Sequence, residues 1–164
     1  KYIRKADLER IVDLSLPYLR EAGYIEDEIN KEEYNWLKRV IEVVRGKVDY
    51  LVQIPEKAAL FFEDLKYEDK KEAREEFAED GVELVFDTLI KKLKELKQFN
   101  LDNISNIFGE MKDELPVSPR TIYHPVRLAL TGKGSGPDMQ NVIYILGVDE
   151  VARRLEKALE LAQS

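Results

Sequence analysis

The chain has 164 residues, of which 44% are hydrophobic and 36% charged, a composition typical of a globular protein rather than a disordered one. Its net charge of −7 argues against a protein that coats nucleic acid regardless of sequence, because such binding depends on many phosphate contacts. The lack of cysteine excludes disulfides and thiolate metal sites, and no apolar run is long enough to span a membrane.

The chain begins in a charged segment, KYIRKADLER, that has neither a methionine nor the apolar core of a signal peptide. We therefore expect a cytoplasmic protein and a piece of a longer chain. The length suits one domain or two small subdomains.

Apolar residues recur at helical spacing along most of the chain, starting with a predicted helix from Ala6 to Ala22. We expect Pro17 to break this helix and Gly23 to end it. Asn30 predicts the start of the next helix, because Glu33 follows three residues later in a capping-box arrangement.

The segment from Lys47 to Leu65 is apolar and is predicted as a further helix, broken or restarted near Pro55. At its end the composition changes abruptly, from the apolar run AALFF to the charged run YEDKKEAREE. This change predicts a boundary near Leu65 to Tyr67. We therefore expect two packed helical subdomains, 1–66 and 67–164.

The second half continues with helical patterns. Gly81 separates the charged segment from Val82 to Lys97, which carries a clear amphipathic stripe. Asp102 can cap the following helix, and a final helix is predicted after Asp149. No stretch alternates with the period of a half-buried strand, so the predicted fold class is all-α.

The segment from Leu115 to Pro137 differs from the rest of the chain in charge. It contains no Asp or Glu, whereas about four or five would be expected from the 33 acids among 164 residues. It carries Arg120, Arg127, Lys133 and the single histidine, His124. A locally basic segment on an acidic protein favours a local contact with phosphate or nucleic acid.

Proline and glycine spacing predicts a helix–loop–helix in this segment. Ser118, followed by proline, predicts a helix start, and Gly132 predicts its end. Gly134 and Gly136 allow close backbone approach. Pro137 suits the first position of the next helix, whose positive N-terminus would face whatever the loop binds. From the residues alone, a loop that merely joins two core helices is an equal alternative.

Residues 124–155, HPVRLALTGKGSGPDMQNVIYILGVDEVARRL, resemble the PLRvALTG–GP–LG–RL signature at the C-terminal end of bacterial glutamyl-tRNA synthetases. The opening YIR (residues 2–4) and the later LPYLREAG (residues 16–23) resemble the segment that follows the catalytic half of those enzymes. Residues 44–62, VRGKVDYLVQIPEKAALFF, are similar to the family stretch kdRvktLxEla–FF. The resemblance covers the whole chain.

The resemblance implies the helical anticodon-binding region of such an enzyme, separated from its catalytic domain. The implied partner is the anticodon loop of tRNA-Glu, or also of tRNA-Gln; no DNA or membrane partner is expected, and the chain is expected to be a monomer. No cofactor is expected in this fragment, whereas the parent enzyme would join glutamate to tRNA with ATP and magnesium.

The same resemblance implies that Arg127 and the residues around the Gly-Pro step, Gly136, Pro137 and Met139, contact anticodon bases. An arginine fork can hydrogen-bond base edges, while proline and methionine offer an apolar shelf for a splayed base. The alternatives are an intramolecular ion pair for Arg127 and simple core filling for Met139.

The family commonly has arginine where our alignment places Lys47, with Arg45 two residues earlier. Both residues are candidates for tRNA contact. A lysine cannot reproduce a bidentate fork, so the alignment predicts a less strict reading of the third anticodon base at this site.

No catalytic site is predicted in this chain. The HIGH and KMSKS motifs of class I synthetases are absent from it, and YHPV is not a variant of HIGH. His124 has no second histidine or cysteine to act with, so we assign it a structural or surface role. The carboxylates that follow Tyr67 are interpreted as a solvated helix face; they include Glu75, Glu76, Glu79 and Asp80.

Two alternatives remain open at this stage. One is a non-catalytic module that binds another protein through the apolar face of the last helices. The other is the equivalent domain of a synthetase that charges tRNA-Gln with glutamate. Binding of tRNA-Glu and tRNA-Gln transcripts would separate them.

Overall fold

The computed structural model describes residues 7–164, and this part of the chain contains α-helices and short 3₁₀ turns but no strand. The all-α prediction is confirmed. The segment YIR, residues 2–4, which carries part of the family resemblance, lies outside the described residues. The helices are α1 (Leu8–Glu21), α2 (Lys31–Val44), α3 (Ile54–Phe62), α4 (Lys70–Phe77), α5 (Val82–Glu95), α6 (Leu101–Glu114), α7 (Pro119–Thr131), α8 (Met139–Leu146) and α9 (Val148–Gln163).

The described part of the chain divides into two compact units, with the division between residues 64 and 65. The sequence placed the division after residue 66. In the first unit, α1, α2 and α3 bury one stripe each, and the 3₁₀ turns Arg45–Lys47 and Leu51–Gln53 connect α2 to α3. The fully buried members of this core include Ile11, Val12, Leu19, Val40, Ile41 and Ile54.

Three aromatic side chains form a cluster in the first unit. The ring of Phe62, at the end of α3, stacks on Tyr24 at a centroid distance of 4.7 Å. The Trp36 ring meets the same Phe62 edge-on at 5.1 Å. Both geometries are favoured for aromatic pairs, so the cluster ties the end of α3 to α2 and to the turn after α1.

In the second unit, the final helix α9 packs against α4, α5, α7 and α8. It can do so because its apolar residues recur every three or four positions and so share one face. The buried members of that face are Val151, Ala152, Leu155 and Ala158. Burying a residue such as Leu155 contributes on the order of 1.5–3 kcal/mol, so this face anchors the whole unit.

Two helix caps were predicted correctly and one was not. The side chains of Asn30 and Ser118 accept hydrogen bonds from the N–H three residues later, at 2.8 and 3.3 Å. The predicted cap at Asp102 is wrong, because Asn100 holds that position and accepts from the N–H of Asn103 at 2.8 Å. Asp102 instead lies in the first turn of α6, where a negative charge still favours the helix dipole.

Pro17 does not break α1, contrary to the prediction, and the helix continues to Glu21. The proline removes one backbone hydrogen bond, but the turn that follows buries Leu19 completely. Burial of that side chain offsets the missing bond. In contrast, α3 does restart at Pro55, which occupies its first turn.

The last two helices do not begin at the residues that the sequence predicted. Pro137 lies two residues before α8 begins at Met139, rather than at its first helical position. The final helix begins at Val148, directly after Gly147, so Asp149 lies in its first turn rather than before it. Within residues 7–164, no helix combines the length and apolarity that a membrane crossing requires.

Arg154 connects α9 to the end of α7. Its Nη1 donates to the carbonyl oxygen of Leu130 at 2.6 Å, and its Nε donates to Glu150 at 2.8 Å. Arg153 also donates to Glu150, at 2.9 and 2.6 Å. Hydrogen bonds from Arg153 and then Arg154 lower the pKa of Glu150 from 4.5 to about 2, although partial burial acts in the opposite direction.

The backbone makes its closest approach at Gly132, the residue that ends α7. Its φ is +77°, and a Cβ placed there would lie 1.9 Å from the carbonyl oxygen of Lys66. The carbonyl of Gly132 accepts a hydrogen bond from the N–H of Glu68 at 2.9 Å. Only glycine permits both this conformation and this contact.

We predict that Gly132→Ala destabilises the protein by about 3 kcal/mol or more. Left-handed backbone costs a side chain about 1–2 kcal/mol, and the collision with the backbone of Lys66 adds to it. Urea denaturation would measure the effect. Gly134→Ala is the matched control, since a Cβ there meets only His124 Nε2 at 3.6 Å. Equal stability of the two variants would contradict this assignment.

We also predict that Glu150→Gln lowers the free energy of unfolding by about 1–3 kcal/mol at pH 7, because buried Arg154 loses its charged partner. A depressed pKa contributes stability above the unfolded value near 4.5. The difference between variant and parent should therefore shrink as pH falls from 4.5 towards 2.

Denaturation at several pH values would measure this effect. The control is Glu156→Gln, at an exposed position of the same helix, where we expect a change within about 0.5 kcal/mol. A difference between Glu150→Gln and the parent that does not depend on pH would argue against the ion pair.

Candidate nucleic-acid interface

The loop between α7 and α8, residues 132–138, is held by a side chain of the preceding helix. Arg127 Nη1 donates to the carbonyl oxygen of Pro137 at 2.8 Å. Within residues 7–164, Arg127 makes no ion pair with a carboxylate, so the structure does not show the alternative raised from the sequence. The guanidinium is half-buried and has five N–H donors, which leaves several for a ligand.

Gly136 lies beside this guanidinium. Its φ is +148°, and a Cβ there would come within 3.6 Å of Arg127 Nη1. That distance is an ordinary van der Waals contact, so it is the positive φ rather than lack of space that favours glycine here. Pro137 is half-buried, and its carbonyl oxygen faces the guanidinium, so three of the predicted residues do lie together.

Thr131 secures the first turn of the loop. Its hydroxyl donates to the carbonyl oxygen of Arg127 at 2.8 Å and accepts from the N–H of Lys133 at 3.1 Å. The Lys133 side chain is exposed. The loop is thus fixed at both ends, while its cation extends into solvent.

Met139 is 3% exposed. Its side chain fills the core at the start of α8, and this burial favours the core-filling alternative over a base contact through the side chain. The cause is local: α8 turns its apolar face inward, with Val142 and Ile143 buried beside Met139. A contact between Met139 and RNA stays a prediction.

His124 has a structural partner that the sequence did not reveal. Its Nδ1 forms a short hydrogen bond with Glu76, and Arg120 Nη2 lies 3.4 Å from the other oxygen of the same carboxylate. The side chain of Glu76 is only 8% exposed, so its assignment to a solvated helix face was wrong. A buried carboxylate needs such partners, and two of the segment's basic residues are engaged in this role.

Arg45 and Lys47 lie in the first unit, in the 3₁₀ turn that follows α2. Arg45 is half-buried, and Lys47 is exposed. The next residue, Val48, is buried and fixes the turn to the core. The turn therefore presents the Lys47 ammonium to solvent from an anchored backbone.

Sequence reasoning missed two exposed apolar residues in the same connection. Tyr50 is 70% exposed and Val52 66%, more than the other large hydrophobic residues exposed within residues 7–164. We had interpreted the segment as an apolar helix, in which such residues would be buried. The available signal in the sequence was that they lie close to two basic residues, Arg45 and Lys47.

Residues 7–164 contain no group of three or more His, Cys, Asp or Glu side chains placed to hold a metal ion. The two surfaces present hydrogen-bond donors and basic side chains. Such groups recognise phosphates and base edges.

Comparison with known proteins identifies the family. A family model for the anticodon binding domain matches residues 10–159. A glutamate–tRNA ligase of Heliobacterium modesticaldum is 33% identical over 161 residues, which are 98% of this chain and 32% of that protein. A second, from Thermoanaerobacter sp., is 36% identical over 162 residues, with 98% and 33% covered. A third, from Bacillus subtilis, is 32% identical over 156 residues, with 95% and 32% covered.

The chain therefore spans about a third of the length of the curated relatives it matches. Among solved structures, a glutamate tRNA ligase from Elizabethkingia meningosepticum, crystallised in complex with its amino acid, aligns with a TM-score of 0.73 at 20% identity. That alignment covers 97% of this chain and 30% of the solved one, and it establishes the likeness of fold.

The resemblance inferred from residues 124–155 and 44–62 is thus confirmed. Because the family match runs from α1 into α9 and takes in both candidate surfaces, this chain belongs to the anticodon binding domain family.

Proposed function

We propose that this chain binds the anticodon loop of tRNA as the anticodon-binding part of a glutamate–tRNA ligase. The observation that carries the proposal is the family match over residues 10–159, with relatives named glutamate–tRNA ligase across nearly the whole chain. Because these relatives are named as ligases that join glutamate to tRNA, tRNA-Glu is the expected ligand.

In the second unit, Arg127 and the loop at residues 132–138 would meet the RNA. One Arg127 nitrogen holds the carbonyl oxygen of Pro137, so the guanidinium plane is oriented before any ligand arrives. A pre-oriented fork loses little entropy when it hydrogen-bonds a base edge. Exposed Lys133 would add a phosphate contact.

In the first unit, Lys47 and Arg45 would contact the third anticodon base. Lys47 is exposed on an anchored turn, which suits a contact with an incoming base. Its ammonium is a rotating point charge, so it would accept more than one base. We therefore propose that discrimination between tRNA-Glu and tRNA-Gln is weaker here than in relatives with arginine.

The complete ligase would attach glutamate to tRNA in the cytoplasm, using ATP and magnesium. For this chain we propose recognition of tRNA, with the chain acting as a monomer.

A direct test is a filter-binding or gel-shift titration of the chain with tRNA-Glu and tRNA-Gln transcripts and with tRNA-Glu whose anticodon is replaced. We expect the replacement to weaken binding, because reading of anticodon bases depends on their edges. Equal affinity for all transcripts, or no binding, would contradict the proposal and favour the protein-binding alternative.

We predict that Arg127→Ala weakens binding to the cognate tRNA by roughly 1–3 kcal/mol. The variant loses its base contact and also the bond that orients Pro137. Arg127→Lys should recover only part of the loss, since lysine restores the charge but not the planar fork. The tRNA titrations described above would give the affinities of the parent chain, Arg127→Ala and Arg127→Lys.

Lys133→Ala is the matched control, because it removes an exposed positive charge from the same loop. It should weaken the binding of every transcript by a similar amount, smaller than the loss in Arg127→Ala. It should also reduce the salt dependence of binding. A large fall in melting temperature for Arg127→Ala, with tRNA affinity intact, would assign Arg127 a purely structural role.

We predict that Lys47→Arg increases the preference for tRNA-Glu over tRNA-Gln by about 1 kcal/mol, the contribution of one added charged hydrogen bond. The ratio of the two affinities is the measurement. Lys97→Arg, at an exposed position of the second unit, should leave the ratio unchanged. If Lys47→Arg also leaves it unchanged while binding persists, Lys47 does not face the base.

A further inference from the structure

Tyr50 lies outside the core although its ring is large and mostly apolar. It is 70% exposed, whereas Val48 and Ile54, on either side of it, are almost completely buried. Leaving such a ring in water forgoes the stabilisation that its burial would provide. Folding of this unit therefore does not explain the placement of Tyr50.

The backbone that carries Tyr50 is held in place. The side-chain oxygen of Gln53 accepts hydrogen bonds from the N–H groups of Asp49 and Tyr50, at 2.8 and 3.1 Å. With Val48 and Ile54 buried, the connection is anchored on both sides of the exposed ring. An aromatic side chain on a fixed backbone loses little entropy when it binds a ligand.

A cation close to Tyr50 in the chain suits an anionic ligand with flat apolar parts. Lys47, three residues before Tyr50, is exposed. Unpaired nucleotides combine a negative phosphate with a planar base, and proteins bind them with aromatic faces beside cations.

We propose that Tyr50 is a stacking platform for one unpaired base of the anticodon loop, with Lys47 contacting the adjoining phosphate or base edge. This inference rests on the proposed tRNA-binding function and adds a residue to it. Stacking tolerates any base, so Tyr50 would contribute affinity rather than a choice between bases.

The test uses the full 164-residue chain and the anticodon stem-loop RNA of tRNA-Glu, with 2-aminopurine replacing each unpaired loop base in turn. We expect binding to change the fluorescence of one 2-aminopurine position through stacking. Tyr50→Leu should abolish that change and weaken binding roughly ten-fold, within the range for loss of one stacking side chain. Tyr50→Phe should retain both.

Val52→Ala is the matched control, because Val52 is as exposed as Tyr50 in the same connection but has no aromatic face. It should alter affinity by no more than about two-fold, in keeping with an apolar side chain that does not stack. Since both side chains are exposed, thermal melting should be similar for all variants, and a fall confined to Tyr50→Leu and Tyr50→Phe alike would indicate a structural role.

The outcomes separate the two proposals. If the parent chain binds the stem-loop and Tyr50→Leu binds it equally well, the stacking role is overturned and the tRNA-binding function stands. If the parent chain binds no stem-loop, the proposed function itself fails, and the role of Tyr50 fails with it.

Discussion

The second unit depends on one close approach of backbone to backbone. Gly132 lies so near Lys66 that a single methyl group would collide with the carbonyl oxygen. This contact places the end of α7 against the start of the unit, and the hydrogen bond from Glu68 to Gly132 secures it. Gly132 is also the first residue of the loop 132–138, so this contact fixes the point at which that loop leaves α7.

Both candidate surfaces lie on backbone segments that are fixed by a hydrogen bond between a side chain and the main chain. Arg127 holds a carbonyl oxygen in the loop after α7, and Gln53 holds two N–H groups in the connection after α2. In the loop after α7, the partner of Arg127 is a neutral carbonyl group, so the positive charge of the guanidinium is available to an anionic ligand. By contrast, Arg120 and His124 are engaged with buried Glu76, so these two side chains serve the fold.

The sequence by itself determined the helices and the family. Helical periodicity is a local property, and side-chain caps such as Asn30 and Ser118 act within three residues, so both can be predicted from a short window. The signature in residues 124–155 likewise lies in one continuous stretch. Even here local rules failed where packing outweighed them, as at Pro17, which the burial of Leu19 keeps within α1.

Only the tertiary structure decided which polar and aromatic side chains remain available to a ligand. Glu76 belongs to a charged run, yet it is buried because His124, 48 residues away, folds against it. Tyr50 belongs to an apolar run, yet it is exposed because Val48 and Ile54 take the core positions around it. Exposure depends on partners that are distant in sequence, and the free energy of burying or pairing each group is set by those partners.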